Sequence, residues 1–408
     1  MPATLPDGEP VPADGALPES ALAGLGERPF GVYVHVPFCA TRCGYCDFNT
    51  YTAEELGTTP GASRASWVEG ALAEIRLARR ALGDADLPVT TVFVGGGTPT
   101  LLPADDLVRV VDALRADFGL APDAEVTTEA NPESIGPEGM VRLRAGGFTR
   151  VSFGMQSSRP HVLDVLDRAH TPGRPAAAVA EARAAGFDHV NLDLIYGTPG
   201  ERLDDWRDSV DSALGAGPDH VSAYALLVEP GTRLAARVRR GELPAPDDDD
   251  LADKYLLADE LLTAAGLLWY EVSNWAADAG ARCRHNLLYW TGGDWWGVGP
   301  GAHSHVGGTR WWNVKHPAAW ASHLAAGRSP AQAREVLDDD TRRVERVLLE
   351  LRLGGGLDIG VLDPAGRVAA SGAVAGGLLE PAALAAGRAV LTRRGRLLAD
   401  AVVRDLLG

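Results

Sequence analysis

From Gly31 onward the chain alternates between short apolar runs and longer stretches in which apolar residues recur every three or four positions. Runs of the first kind have the length of buried strands, and spacing of the second kind lines one face of a helix. The predicted strands are Val32 to Val36, Thr91 to Val94, Glu125 to Thr128, Arg150 to Phe153, His189 to Leu194 and His220 to Leu226. Helices are predicted over Arg64 to Ala81, Ala104 to Ala116, Arg174 to Ala185 and Leu203 to Leu214, with Gly146-Gly147 and Gly186 as C-terminal caps. Regular strand-helix repeats make parallel sheets with helices outside. The expected fold is therefore α/β, a partial (β/α)6 TIM-like barrel rather than the eight units of a closed one.

Farther along, Leu243 to Asp250 carries Pro244, Pro246 and four successive aspartates, the composition of a solvated loop that favours the N-terminus of a helix over Leu251 to Ala265. A region dense in Trp and Gly follows, then a segment with the make-up of a small mixed, mainly helical domain, Leu391 to Arg396 being a candidate hairpin turn. The domain organisation expected is a disordered tail at 1–27, a core at 28–265, a connecting segment at 266–337 and a C-terminal domain at 338–408. A chain of 408 residues is long enough for a barrel and a smaller second domain.

Charge and cysteine usage narrow the function classes. The net charge of -17 opposes a sequence-independent grip on nucleic acid, which draws on clustered Lys and Arg. Residues 1–27 have neither the basic start nor the continuous apolar core of a signal peptide or anchor, and no later stretch is long and apolar enough to span a bilayer. Of four cysteines, three fall within eight residues, so a disulfide framework is not expected, and a reducing, cytoplasmic setting fits.

Those three lie in Tyr33-Val-His-Val-Pro-Phe-Cys39-Ala-Thr-Arg-Cys43-Gly-Tyr-Cys46-Asp-Phe-Asn49, on the loop after the first strand. Three thiolates on a tight loop can hold three irons of a cuboidal 4Fe-4S cluster and leave the fourth open to an exchangeable ligand. Two other readings stand beside it. Structural zinc usually takes four ligands, where this loop offers Cys39, Cys43 and Cys46 with His35 on the strand; a Cys43/Cys46 dithiol leaves Cys39 without a role.

The C-x3-C-x2-C loop, with Tyr45 before its third cysteine, resembles the radical S-adenosylmethionine (SAM) superfamily, and the longer Y-x-H-x-P-F-C string resembles its oxygen-independent coproporphyrinogen III oxidase branch. The resemblance runs from about Arg28 to the C-terminus. It implies a radical SAM barrel with a winged-helix-like C-terminal domain, and a 4Fe-4S cluster on Cys39, Cys43 and Cys46 whose open iron takes SAM. It also implies SAM contacts for Tyr33, Tyr45, Gly96, Gly97, Thr98, Glu129, Gln156, Arg168 and Asp193. Apart from the resemblance, Glu129, Gln156 and Asp193 each sit near the carboxyl end of a predicted strand, the ligand-binding face of parallel barrels. Gly95-Gly96-Gly97 occupies the same place, where glycine lets a ligand approach the backbone and its N–H and C=O groups are free to bind. Gly297 to Ala302 is glycine-rich too, but with no clear strand before it and no clear helix after it, it reads as a turn and not a dinucleotide loop.

Within the branch two features favour the HemW-type heme chaperones over the oxidases. Phe48 stands where the oxidases carry a fourth cysteine, and Cys283-Arg-His285-Asn286-Leu-Leu-Tyr289-Trp290 resembles the H-N-x-x-Y-W motif linked with heme in the chaperones. Histidine or thiolate can ligate heme iron, and Tyr and Trp offer flat faces to a porphyrin. The resemblance thus implies heme as a third ligand, bound through His285, Asn286, Tyr289 and Trp290 with His285 or Cys283 on the iron. The implied partners are acceptor apo-hemoproteins, respiratory cytochromes among them, and a peripheral membrane contact is compatible with such acceptors. Coproporphyrinogen oxidation is the first alternative. A radical SAM RNA-modifying enzyme is the second, for which the acidic balance shows no basic face.

Overall fold

In the computed structural model, which describes residues 7–408, all six predicted strands form. β1 (Phe30–Val36), β2 (Val89–Gly96), β3 (Leu120–Ala130), β4 (Arg150–Gln156), β5 (His189–Tyr196) and β6 (His220–Ala225) lie side by side in chain order, each neighbouring pair parallel. The crossovers carry α1 (Arg64–Leu82), α2 (Ala104–Asp117), α3 (Pro137–Ala145), α4 (Arg174–Ala184) and α5 (Leu203–Gly215). Strand alternation explains the apolar runs: Phe30, Val32, Val34 and Val36 belong to the core shared with the helices, whereas Gly31, Tyr33 and His35 take the inward parity. The expected caps are present, since Gly147 (φ +100) and Gly186 (φ +88) let the amides of Phe148 and Phe187 turn back onto Leu143 and Ala182 at the ends of α3 and α4.

Two expectations are corrected beyond β6. The aspartate run does lead into a helix N-terminus, but the helix starts three residues earlier than expected: Asp247 caps α6 (Asp248–Ala264) and Asp248 to Asp250 form its first turn, where acids suit the helix dipole. Residues 266–337 are more than a connecting segment, because they supply both flanks of the main sheet. β7 (Leu268–Glu271) and β8 (Asn274–Ala276) extend it past β6, and after α7 (Arg284–Trp290) the chain returns to the far side. There β9 (Asp294–Val298) pairs in parallel with β1, Val32 opposite Trp296, and β10 (His303–Val306), β11 (Thr309–Asn313) and β12 (Ala331–Val336) follow antiparallel. Among the described residues the sheet order is β12-β11-β10-β9-β1-β2-β3-β4-β5-β6-β8-β7. Trp295 and Trp296 therefore do form a strand, hidden in the sequence because its parallel partner lies at the other end of the chain. Of the glycine-rich stretch, Gly297 and Val298 belong to β9 and the turn expected there is confined to Gly299 to Ala302, with Gly299 (φ +113) and Gly301 (φ +73) in the left-handed region and a strand, not a helix, after it.

The N-terminal tail is corrected likewise over residues 7–27; the expectation for residues 1–6 lies outside the described residues. Glu9 exchanges backbone hydrogen bonds with Arg334 on β12, and Ala21 is fully buried beside Gly307. The tail thereby covers part of an edge strand that would otherwise offer unpaired backbone groups. Its Pro and Gly content suits extended strapping as much as disorder. The C-terminal segment has its own apolar core, drawn from Val347 to Leu406 and built on α8 (Asp339–Glu350), α9 (Pro364–Ala375) and α10 (Ala399–Leu407). A two-residue ladder, Leu357–Asp358 against Arg388–Ala389, is its sheet element. The hairpin expected at Leu391 to Arg396 is instead a helix start, capped by Thr392. Arg393 and Arg396 fix this domain to Asp259 on α6 at 3.0 and 3.1 Å.

Glu74 on α1 binds the distal strands into the barrel. Its buried carboxylate accepts hydrogen bonds from Gly299 N, Trp320 Nε1 and Asn313 Nδ2, and Gly70 one turn earlier leaves room for the Trp320 ring. Burial outweighs those donors and raises the carboxyl to about 7. Burial likewise raises Glu201 and Glu271 to about 7. The folded protein thus keeps protons that the unfolded chain releases above its ordinary carboxyl range. The associated stability is present below that range and is lost as pH rises through about 7. The thermal midpoint is expected to fall by about 5 °C between pH 5.5 and 8, and Glu74→Gln to flatten the slope; a midpoint flat across that interval would contradict these protonation states.

Candidate functional site

The cysteine loop, residues 40–50, leaves the carboxyl end of β1 and is pinned independently of its thiols. Phe38–Cys39 pairs with Tyr51–Thr52, Tyr51 N donates to Pro37 O, and His35 Nε2 bonds Asn49 O at 2.9 Å. The Gly44 peptide is held on both sides, its N–H by Leu166 O at 3.0 Å and its C=O by Leu234 N at 2.8 Å. Cys39, Cys43 and Cys46 are free and half-buried. Burial pushes the Cys39 thiol up and the Cys46 thiol up to about 11, so thiolates there call for a compensating cation such as a ligated metal. Among the described residues no three His, Cys, Asp or Glu side chains converge as a single metal ion requires. A cuboidal cluster asks only for one thiolate at each of three corners. The donor set fits it.

Beside this loop, Gly96 to Thr98 runs along residues 36–38. Gly96 N donates to Glu129 Oε2 (2.9 Å), Gly97 N to Val36 O (2.8 Å) and Thr98 N to Phe38 O (2.7 Å). The amides expected to be free are therefore taken, and what Gly96 and Gly97 offer a ligand is carbonyl oxygen, an acceptor suited to an ammonium. A methyl group on Gly97 would sit 2.5 Å from Phe38 O, next to Cys39. Gly97→Ala is expected to lose most of its cluster iron and SAM binding, measured by iron analysis and equilibrium dialysis; wild-type values for both would show that the two strands can part there.

Glu129 has a buried carboxyl raised to about 8, chiefly by burial and secondly by Asp193. Asp193 is raised by burial, although Ser152 Oγ and Asn191 Nδ2 donate to it, each at 2.7 Å. Two buried acids that repel each other suit a ligand bringing positive charge and hydroxyl donors. Arg168 reaches the Gly154 carbonyl at 2.9 Å and lies 3.7 Å from Cys43 Sγ, its buried Nε without a partner. A guanidinium so placed can take a carboxylate. Gln156 (φ +65) and Asp167 (φ +52) are the non-glycine residues with positive φ among those described, the kind of strain that accumulates at ligand sites. The Tyr33 hydroxyl donates to His35 Nδ1 at 2.9 Å, since the ring's one proton is on Nε2 facing Asn49 O, and Tyr45 packs against the apolar cluster of Val162, Leu166, Ile195, Leu226 and Leu234. Cysteines, glycines, Glu129, Gln156, Arg168 and Asp193 thus share the carboxyl end of the barrel, where acids, carbonyls and a guanidinium complement a ligand that carries both a cationic group and a carboxylate.

The histidine motif lies elsewhere. α7 plugs the amino-terminal end of the barrel, with Leu288 against Gly31 and the amide of His285 on Glu125 Oε1 at 3.1 Å. His285 is 1% exposed; Nδ1 bonds Thr91 Oγ1 and Nε2 bonds Tyr289 OH, both at 2.8 Å, with Phe93 stacked on the ring. Burial lowers its pKa to about 3, so it stays neutral. Asn286 Nδ2 donates to Glu271 at 2.9 Å, and Trp290 ends the helix half-buried. Cys283 is buried beside Glu125, and burial raises its thiol. In this conformation both ring nitrogens of His285 are engaged and neither it nor Cys283 opens to a porphyrin face, so either could reach heme iron only after α7 moves.

Missed by the sequence reading are the other inward residues, Asn191, His220, Ser222 and Tyr224. Tyr224 is 43% exposed at the ligand end, two positions along the same strand face as Ser222, which pairs with Asp193. Period-two counting outward from Asp193 would have found Asn191, whereas His220, Ser222 and Tyr224 needed the register of β6 against β5.

Comparison with known proteins matches residues 33–213 to the radical SAM superfamily. The chain is 59% identical over 388 residues to the heme chaperone HemW of Mycobacterium tuberculosis, covering 95% of this chain and 97% of that protein. It is 32% identical over 326 residues to heme chaperone HemW of Bacillus subtilis, covering 80% and 84% of the two chains. The solved structure of coproporphyrinogen III oxidase (HemN) from Escherichia coli superposes with a TM-score of 0.80 at 22% identity, over 97% of this chain and 94% of that one. That likeness gives the fold: a radical SAM barrel with a C-terminal domain of the same kind.

Proposed function

The chain belongs to the family of the HemW heme chaperones within the radical SAM superfamily, and from that premise we propose that it binds heme and transfers it to acceptor hemoproteins. In this reading it carries one 4Fe-4S cluster on Cys39, Cys43 and Cys46, with an exchangeable SAM. The observation that carries the proposal is the 59% identity sustained over nearly the whole of both chains. Phe48, in place of a fourth cysteine, supports it against the oxidase reading.

When bound, the reduced cluster supplies a single electron to the sulfonium of SAM. Arg168 would hold the methionyl carboxylate, Glu129 with the Gly96 and Gly97 carbonyls the ammonium, and Asp193 a ribose hydroxyl. Thr98, Tyr33, Tyr45 and Gln156 would line the pocket. His285, Asn286, Tyr289 and Trp290 would meet heme only if α7 left the barrel floor. Acceptors in the cytoplasm or at a membrane surface, respiratory cytochromes included, complete the reading; among the described residues no helix is long and apolar enough to cross a membrane.

The test is anaerobic: cluster-reconstituted protein is given coproporphyrinogen III with SAM and reductant, and separately heme with an apo-cytochrome. Heme capture and transfer without turnover is expected. Conversion of coproporphyrinogen III to protoporphyrinogen IX would overturn the chaperone assignment.

A further inference from the structure

We infer that Asp193 is oriented from the floor of the barrel, by a one-way chain of hydrogen bonds in which His220 and Tyr270 are positioning residues for the SAM pocket. This rests on the reading of Asp193 as a SAM contact. Asn191 Nδ2 donates to Asp193 Oδ1 at 2.7 Å and also to Ser152 Oγ at 2.6 Å, while the Ser152 hydroxyl donates to Asp193 Oδ2. The other end of the Asn191 amide, Oδ1, lies 2.6 Å from His220 Nδ1. His220 Nε2 lies 2.8 Å from Tyr270 OH, and that oxygen lies 3.2 Å from Cys283 N, the N-cap of α7.

The two ends of the chain dictate its direction. A carboxylate accepts and a backbone N–H donates, so between Asp193 and Cys283 one consistent set of proton positions exists. The Cys283 amide donates to the Tyr270 oxygen, and the Tyr270 hydroxyl donates to His220 Nε2. His220 carries its proton on Nδ1 and donates to Asn191 Oδ1, which turns the amide nitrogen of Asn191 toward Asp193. His220 must be neutral for this, and burial, reinforced by Arg150, holds it so. Asn191, His220, Tyr270 and Cys283 are all buried, so no link can be exchanged for water without cost. Bonds aligned in one sense strengthen one another, and the last of them holds the carboxylate that faces the ligand. The chain begins at the head of the helix bearing His285, so movement of α7 removes the first donor and loosens Asp193.

The experiment uses full-length, cluster-reconstituted protein titrated with SAM, read by the change in the electron paramagnetic resonance spectrum of the reduced cluster. Melting temperature and iron content are recorded alongside. Tyr270→Phe and His220→Leu are expected to weaken SAM binding about tenfold, the loss of roughly one buried hydrogen bond. His220→Gln, which offers an amide donor and a carbonyl acceptor, is expected to stay within about twofold of wild type on the same scale. In wild type, SAM should slow amide exchange over residues 283–290, and in Tyr270→Phe it should not. Unchanged SAM affinity in Tyr270→Phe, or equal losses in His220→Gln and His220→Leu, would overturn the inference. A wild type that binds no SAM would overturn the reading of the pocket itself and this inference with it.

Discussion

Cys39→Ala, Cys43→Ala and Cys46→Ala are each expected to give folded protein that reconstitutes with less than about a tenth of the wild-type iron and sulfide, an all-or-none loss because each iron corner has a single protein thiolate. The loop will survive the substitutions. Its shape is held by the Gly44 peptide between Leu166 and Leu234, by Asn49 on His35, and by the Phe38–Tyr51 pairing, none of which uses sulfur. Melting temperatures of the unloaded variants should therefore stay within about 3 °C of wild type. Cys283→Ala is the internal control, since that thiol is buried at the opposite end of the barrel and should leave iron content unchanged. Near-normal iron in any of the three loop variants would remove the cluster assignment.

The second large effect concerns the barrel floor. His285→Ala leaves Thr91 Oγ1 and Tyr289 OH without their buried partner and opens a cavity against Phe93, a loss of about 3 kcal/mol in stability. Heme titration should nevertheless give the same Soret position in wild type, Cys283→Ala and the folded fraction of His285→Ala, because neither side chain presents a ligand atom in the closed barrel. The decisive contrary result is a Soret band lost in His285→Ala at an unchanged melting temperature. It would show that α7 opens to heme and would restore His285 as the ligand.

How much of this was legible in the sequence follows from the range of the interactions involved. The six core strands announce themselves because their outward residues, such as Val32, Val34 and Val36, are apolar in a pattern that can be read within each segment alone. The thiols were legible because three ligands to one cluster must lie close together on one loop. Asp247 to Asp250 showed their charge preference but not whether they stood before or inside the helix, since capping and solvation favour the same residues. The strand at Trp295 and Trp296 was not legible, because its evidence is β1 at the other end of the chain. The packing of His285 was illegible for a related reason. A histidine followed by Asn, Tyr and Trp has the composition of a ligand site and of a polar core alike, and only Thr91 and Glu125, distant in sequence, distinguish them.

The pairing of β9 with β1 also sets an order of assembly. A ribosome makes β1 first among the core strands, yet its second parallel neighbour arrives only after α7 has been synthesised. Until then β1 is an open edge, the kind of surface that recruits foreign strands, and its closure is a slow, long-range event. The nascent chain thus displays its three thiols long before the floor and far wall of its own barrel exist, which makes the closing of residues 284–298 onto β1 the step that turns a reactive, aggregation-prone half-sheet into a finished vessel.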